Sequence, residues 1–534
     1  MTKPSQAAVL APEPRPAIES RELVREACRR FPDRVALVTD RVRWTYAELG
    51  DRVRRLSTLL DTLGVSARDT VGVIVSKRSE LLYETRLATF EHGAALLGIN
   101  PTLPPPDIYR MLQSVDPRVV VYDADLFPDA PALLGRAAPS ARALAASGPA
   151  GDYEGLLART ESRESSHTID PYALAALGFT SGTTGAPKGI TAAHRGLAEC
   201  CRMFIEVLSH RGVEGPGGFF NAMPLFAAGG GVIVPSLHAG LTMYVSDEFH
   251  AQGALQLLSR EKIAATFLTP SMLIDLLDEP DLERMDLSAL KMIIYGSAST
   301  PAAKVEEAVR RLGPILLQGY GMSECLPPVA VLWPEEHGTR ELPAPRDVLR
   351  SAGHPFEGVR VRIESESGAL LPAGQTGEVA ILSPTVSPGY WSDPERTSRA
   401  MRGGWWHSGD VGYVDAEGRL CVLDRQQDVL KRGGRTIFPR TIEEAASEHP
   451  AVKEVCVVHP SGSERIVAAV SLRKRARRLP ESEKLPETLM EFLADRIRPA
   501  DLPDDIYVFE ELPRSVQGKV LKREVRDALG AVYR

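Results

Sequence analysis

A chain of 534 residues is too long for a single hydrophobic core, and at least two domains are expected. Its 43% hydrophobic and 25% charged residues are the ordinary balance of a globular enzyme, and a formal net charge of −7 gives no support to a nucleic-acid partner, which calls for a basic face. Six cysteines at 28, 200, 201, 325, 421 and 456 form no CxxC pair, so neither a zinc site nor a disulfide framework is expected. No signal peptide and no membrane-spanning run is evident, so a cytoplasmic protein with no membrane partner is expected.

In chain order, residues 1–18 are rich in Pro and Ala and read as a loose tail. The segments 52–63 and 80–91 read as amphipathic helices, and 71–75 and 119–122 as strands. This alternation of strand and helix continues to about residue 420 and predicts parallel sheets with helices on their faces. Residues 137–168, rich in Ala, Ser and Arg, read as a variable surface connection. The apolar run 173–179 predicts a buried strand, and the short strands and glycine turns of 353–423 predict a compact β subdomain. Beyond these, strands over 454–458 and 466–472 and a helix over 489–496 predict a small α+β domain. The basic run 473–478 reads as a solvated loop in preference to a phosphate contact.

The stretch Thr180-Ser181-Gly182-Thr183-Thr184-Gly185-Ala186-Pro187-Lys188-Gly189 carries the strongest chemical signal. Its glycines let the backbone turn tightly and bring N–H groups close to an anion, while its hydroxyls and lysine add donors and charge for phosphate oxygens. It is not a Walker A loop, because the GxxxxGK[ST] spacing is missing and no Ser or Thr follows Lys188. Taken alone, it also reads as a flexible Gly/Ser/Thr surface loop.

This string resembles the phosphate-binding loop of the adenylate-forming superfamily of acyl- and aryl-CoA synthetases, peptide-synthetase adenylation domains and luciferases. Further matches follow in the family's order: Trp44-Thr45-Tyr46-Ala47-Glu48-Leu49, Asn100-Pro101, Gly319-Tyr320-Gly321-Met322-Ser323-Glu324, Gly377-Glu378-Val379, Ser408-Gly409-Asp410, Asp424-Arg425 and Gly518-Lys519. The resemblance implies an α/β fold: a large N-terminal domain over 19–424 with parallel sheets and a β subdomain, and a small mobile α+β C-terminal domain over 425–534. It implies ATP-dependent adenylation of a small-molecule carboxylic acid, aromatic or medium-chain, with Mg2+, followed by transfer to a thiol, CoA first. The alternatives are a carrier-protein thiol, an amine, nitrite in a diazotase-like reaction, or a non-catalytic nucleotide-binding relative. A monomer or a homodimer is expected.

The residue roles come from the same resemblance. Thr180, Ser181, Gly182, Thr183 and Lys188 cradle the phosphates. Thr184 and Glu324 hold Mg2+, a hard cation that takes oxygen ligands. Tyr320 lies against adenine, Asp410 and Arg425 bind ribose, and Gly296, Ser297 and Ala298 complete the nucleotide site. Lys519 is the catalytic lysine that bridges carboxylate and α-phosphate. Phe226, Ala227, Tyr295 and Gly319 line the acyl pocket. The loop Lys431-Arg432-Gly433-Gly434-Arg435 resembles the segment that enters the site for the second half-reaction, although from sequence alone it reads as a hairpin turn. Two positions depart from the common form. Ala227 stands where many relatives have a gating His after Pro-Leu-Phe, and Gln427 stands at the hinge in place of Asp or Lys.

Overall fold

The computed structural model describes residues 19–76, 79–148, 151–180, 188–246, 248–474, 476, 484–515 and 518–533. The tail 1–18 and all of the basic run except Arg473, Lys474 and Ala476 lie outside them.

Two sheets, mostly parallel, form the large domain. In the first, the strands Val35–Val38, Thr242–Val245, Gly218–Asn221, Ile263–Leu268, Met292–Gly296 and Leu316–Met322 run parallel in that spatial order. Antiparallel strands close both edges, Arg43–Thr45 on one side and Cys325–Leu332 then His354–Pro355 on the other. The second sheet orders Arg142–Ala145, Val119–Tyr122, Thr70–Ile74, Ala95–Ile99 and Leu174–Thr180 in parallel, with Lys188–Ala193 antiparallel at the edge. The segment 137–168 is thus more structured than expected. It supplies the edge strand Arg142–Ala145 and a short helix, Tyr153–Arg159.

The main core cluster includes the buried faces of helices Ser20–Arg30, Tyr46–Thr62, Glu80–His92 and His194–His210 together with side chains of both sheets. The motif at 44–49 is the start of one of these helices. Thr45 Oγ1 accepts the Glu48 N–H at 3.2 Å, and the Glu48 carboxylate accepts the Thr45 N–H at 2.7 Å. A cap of this kind is worth about 0.5–2 kcal/mol. Helix Glu80–His92 is buried along its whole length, not on one face only. An amphipathic reading fails there because Glu84 and Glu91, at core positions, are satisfied by partners rather than by water. The Glu84 carboxylate accepts from Arg52 at 2.7 Å and from the Tyr153 hydroxyl at 2.7 Å, and Glu91 accepts from Arg25 Nε at 2.9 Å.

Strands Arg360–Glu364, Gly377–Leu382, Met401–Arg402, Trp405–Val414 and Leu420–Arg425 form the antiparallel β subdomain. A short turn, Gln426–Asp428, leads out of it. From Leu430 onward the chain builds its own core around Ile437, Ile442, Val457, Val470 and Leu489. This unit holds the hairpin Leu430–Arg432/Arg435–Ile437 and the sheet Val452–Val458, Val467–Leu472 and Asp505–Phe509. No helix among the described residues is long and apolar enough to cross a membrane.

Arg473 corrects the reading of a solvated basic loop. It is 2% exposed and crosses the domain junction to Asp278 at 2.9 Å and to Glu307 at 2.9 Å. Lys453 and Asp275, 2.6 Å apart, and Lys304, which donates to the Val452 carbonyl at 2.8 Å, lie in the same seam.

Candidate active site

The parallel register of the first sheet brings Asn221 beside Phe267, Leu268 beside Tyr295, and Gly296 beside Gly319. These are carboxyl ends of parallel strands, where open α/β sheets bind ligands. A Cβ on Gly296 would stand 2.5 Å from the Gly319 carbonyl oxygen, so only glycine permits the two strands to run this close. A Cβ on Gly319 would meet nothing within 4 Å, so the backbone there faces open space. Ser297, just past the strand, holds φ at +69°, a left-handed conformation that costs a side-chain-bearing residue free energy and concentrates at functional sites. Ala298 is exposed beside it.

Strands Leu174–Thr180 and Lys188–Ala193 pair as a hairpin with Thr180 opposite Lys188. Ser181, Gly182, Thr183 and Thr184 lie between them, outside the described residues. Thr180 Oγ1 is buried with no hydrogen-bond partner among the described residues, a donor left over at the root of the loop. Lys188 Nζ donates to Glu324 Oε1 at 2.6 Å, and the Tyr390 hydroxyl donates to the same oxygen at 3.1 Å. Burial pushes the Glu324 carboxyl up, but Lys188 and these hydrogen bonds outweigh it and hold the group ionised. A cavity of about 340 Å3 opens beside Lys188 and Tyr390 and is also lined by Arg110 and Arg396.

Asp410 and Arg425 are register partners on neighbouring strands, with Arg425 Nε 2.8 Å from Asp410 Oδ1. The Tyr320 hydroxyl donates to Asp410 Oδ2 at 2.6 Å. Asp410 is 4% exposed, and burial raises its carboxyl pKa against the pull of Arg425, Tyr320 and Lys519.

Lys519 arrives from the C-terminal domain on a turn that is tied down locally. Arg514 donates to the Gly518 carbonyl at 2.9 Å and pairs with Glu454, and the Ser515 N–H donates to the Lys519 carbonyl at 2.8 Å. Gly518 has φ +79°, and a Cβ there would approach Thr269 of the large domain to 3.2 Å. The Lys519 side chain is open to solvent yet surrounded by protein mass. That mass and Arg425 lower its pKa, while Asp410 and Glu324 oppose the shift. One ammonium therefore feels Arg425, Asp410 and Glu324 together, across the domain junction.

Not every expected residue joins this group. Tyr295 is fully buried: its side chain packs in a separate core cluster, with its hydroxyl 3.0 Å from His337 Nε2. It occupies an inward position on its strand, where side chains alternate between the two faces. Phe226 and Ala227 are partly buried on the segment that precedes the short turn Ala228–Val232. The Asn221 amide donates to the Gly229 carbonyl at 2.8 Å and pins that segment over the end of its strand. Gly433 and Gly434, at φ +55° and +77°, form the two-residue turn of a hairpin, while Arg432 at its base pairs with Asp504 at 2.6 Å. Cys325 is fully buried and inert, its thiol pKa raised by burial. Tyr390 was missed by sequence reasoning. Its signal is the Gly389-Tyr390-Trp391 string, whose Gly389 carbonyl accepts from the Thr191 hydroxyl at 2.7 Å.

The donor set fits a nucleoside triphosphate: a lysine and a spare hydroxyl at the phosphate loop, a carboxylate–arginine pair with capacity for ribose hydroxyls, and a second lysine within electrostatic reach of Glu324 and that pair. Comparison with known proteins agrees. The family model described as AMP-binding enzyme matches residues 24–391, and the AMP-binding enzyme C-terminal domain matches 441–519. A medium/long-chain-fatty-acid–CoA ligase of Mycobacterium tuberculosis is 29% identical over 514 residues, covering 94% of this chain and 88% of the relative. A feruloyl-CoA synthase of Amycolatopsis sp. is 31% identical over 491 residues, covering 91% and 94%. Among solved structures, the amide bond synthetase from Marinactinospora thermotolerans superposes with a TM-score of 0.81 at 29% identity, covering 95% of this chain and 99% of the other. The chain belongs to the AMP-binding enzyme family and is an AMP-forming acid ligase.

Proposed function

We propose that this chain adenylates a carboxylic acid with ATP and then passes the acyl group to the thiol of CoA. The observation that carries the reading is Lys519, held by the C-terminal domain within electrostatic reach of Arg425, Asp410 and Glu324. In the first half-reaction a carboxylate oxygen attacks the α-phosphate, a new P–O bond forms, and the bond to the β-phosphate breaks with loss of pyrophosphate. Two anions must meet, so the barrier falls when fixed cations face the developing charge. Lys519 takes that role at the carboxylate and α-phosphate, Lys188 at the outgoing phosphates, and Asp410 with Arg425 holds the ribose. Magnesium, with Glu324 and Thr184 as its oxygen ligands, would neutralise phosphate charge. Lys188 then turns from Glu324 toward phosphate. In the second half-reaction the thiolate displaces AMP at the acyl carbon, after the C-terminal domain has withdrawn Lys519. The named relatives that use CoA support this acceptor.

A second reading, with an amine as acceptor, is favoured by Ala227 in place of a gating imidazole and by the likeness to an amide bond synthetase. Pyrophosphate exchange over a panel of aromatic and aliphatic acids tests the first step. Exchange with at least one acid is expected, and none with any acid overturns the reading.

A further inference from the structure

Arg86 is the unexplained charge of the interior. It sits on helix Glu80–His92, is 7% exposed, and forms no ion pair among the described residues. Among the described residues its side chain makes one hydrogen bond, a long donation to the Leu225 carbonyl at 3.3 Å, and its Nε has no partner. The other charges of this helix that face the core are matched: Glu84 by Arg52, and Glu91 by Arg25. Desolvation pushes the guanidinium down to about 10, opposed only weakly by the Cys201 and Cys200 thiols. Burying an unpaired cation is among the costliest arrangements in a folded protein. A chain keeps one when something else supplies the counter-charge.

The surroundings indicate what that is. Arg86 reaches the segment that crosses the carboxyl end of strand Gly218–Asn221. A Cβ on Gly230 would stand 2.5 Å from Arg86 Nη2, so this glycine makes room for the guanidinium. A Cβ on neighbouring Gly231 would meet Phe204 at 3.9 Å and Cys200 Sγ at 4.0 Å, in ordinary van der Waals contact. The Cys200 and Cys201 thiols are close enough to act on its charge. Cys200 donates to the Pro327 carbonyl at 3.1 Å, and Pro327 abuts Gly321, next to Tyr320. Arg86 therefore stands against the segment that carries Phe226 and Ala227, two residues expected to line the acyl pocket.

We infer that Arg86 is a specificity residue that receives a second anionic group, a distal carboxylate, at the far end of the acid substrate. This rests on the acid-adenylating reading and names the substrate class. A guanidinium binds carboxylate through paired N–H donors, and the low-polarity surroundings strengthen that contact. A neutral acid of the same shape leaves the cation unpaired and is disfavoured.

The experiment compares pyrophosphate exchange with matched pairs: adipic acid against its monomethyl ester, and terephthalic acid against 4-methylbenzoic acid. The wild type is expected to favour the diacid of at least one pair by roughly tenfold or more in kcat/KM, the scale of a hydrogen bond to a charged group. Arg86→Leu is expected to lower that diacid-to-neutral ratio by at least tenfold, with Arg86→Lys falling between. A melting curve checks folding, and Arg86→Met replaces Arg86→Leu if the latter is unfolded. Exchange that favours the neutral member of every pair, or an Arg86 variant that slows both members equally, overturns the inference and leaves adenylation standing. Calorimetric titration of the same acids without ATP separates the two claims. If no acid supports exchange, diacid binding that disappears in Arg86→Leu still upholds this inference, and absence of diacid binding to the wild type overturns it.

Discussion

Lys188 and Glu324 form an ion pair at 2.6 Å although they lie 136 residues apart, and the pair joins the root of the phosphate loop to the turn after Tyr320. Each is the other's counter-ion where neither has a ligand. Glu324→Gln should therefore lower adenylation by about 10²–10³ and weaken its dependence on Mg2+. Stability should fall by only about 1 kcal/mol, because Lys188 is 26% exposed and can turn to solvent. Exchange rate measured against Mg2+ concentration is the check. An unchanged rate and metal dependence would make this an ordinary structural pair.

Lys519→Ala should lose roughly 10²–10³ in the first half-reaction while the melting temperature stays near that of the wild type, since the side chain is open to solvent. Thioester formation from pre-made acyl-adenylate should suffer far less, because the lysine acts only when docked. Equal losses in both half-reactions would contradict that division of labour.

Arg473 holds the docked arrangement from the other side of the junction. It is 2% exposed, so Arg473→Ala takes the cation from the buried Asp278 carboxylate and should cost about 3–5 kcal/mol of docking or folding free energy. Adenylation should fall about tenfold or more, with transfer from pre-made adenylate less affected. Stopped-flow measurement of each half-reaction, beside a thermal melt, distinguishes a lost clamp from general unfolding.

The hinge carries a pH-sensitive group. Burial pushes the Asp424 carboxyl up to about 6, with Lys522 opposing at 3.4 Å. The unfolded chain loses this proton near pH ~3.9. Between about pH 4 and 6 the folded state binds the extra proton, so this group's contribution to stability falls as pH rises through that window and is flat above it. Asp424→Asn removes the effect. The melting temperature of the variant minus that of the wild type should climb from pH 4 to pH 6 and then level off. A difference that stays constant refutes the assignment.

The backbone architecture was legible because strands such as 119–122 are continuous apolar runs bounded by turns, and because caps such as Thr45–Glu48 are local. Asp410 and Arg425, to which the resemblance gives matching roles, stand in register in space. What failed was long-range. Arg473 reads as solvated because its acids lie 195 and 166 residues away. Arg86 gives no signal in sequence, since its character lies in the absence of a partner.

The acceptor turns on a residue that is missing. Ala227 is partly buried, its N–H donating to the Pro224 carbonyl at 3.1 Å, and the segment after it is held by Asn221. An imidazole there would fill space that alanine leaves to the acyl group, so wild type should accept bulkier acids than Ala227→His. In single-turnover experiments with enzyme-bound adenylate, CoA should shorten the adenylate's lifetime and yield an acyl-CoA detectable by mass. Simple amines, nitrite and no acceptor serve as comparisons. If CoA leaves the lifetime unchanged while an amine shortens it, the thiol reading fails and the amide-forming one stands. Ala227→His then separates two roles for the position. A pocket wall predicts a narrower range of acids with CoA transfer retained. A gain of CoA transfer absent from the wild type would instead mean that alanine at this position had switched the acceptor, because the side chain alone would have reopened the thiol's route.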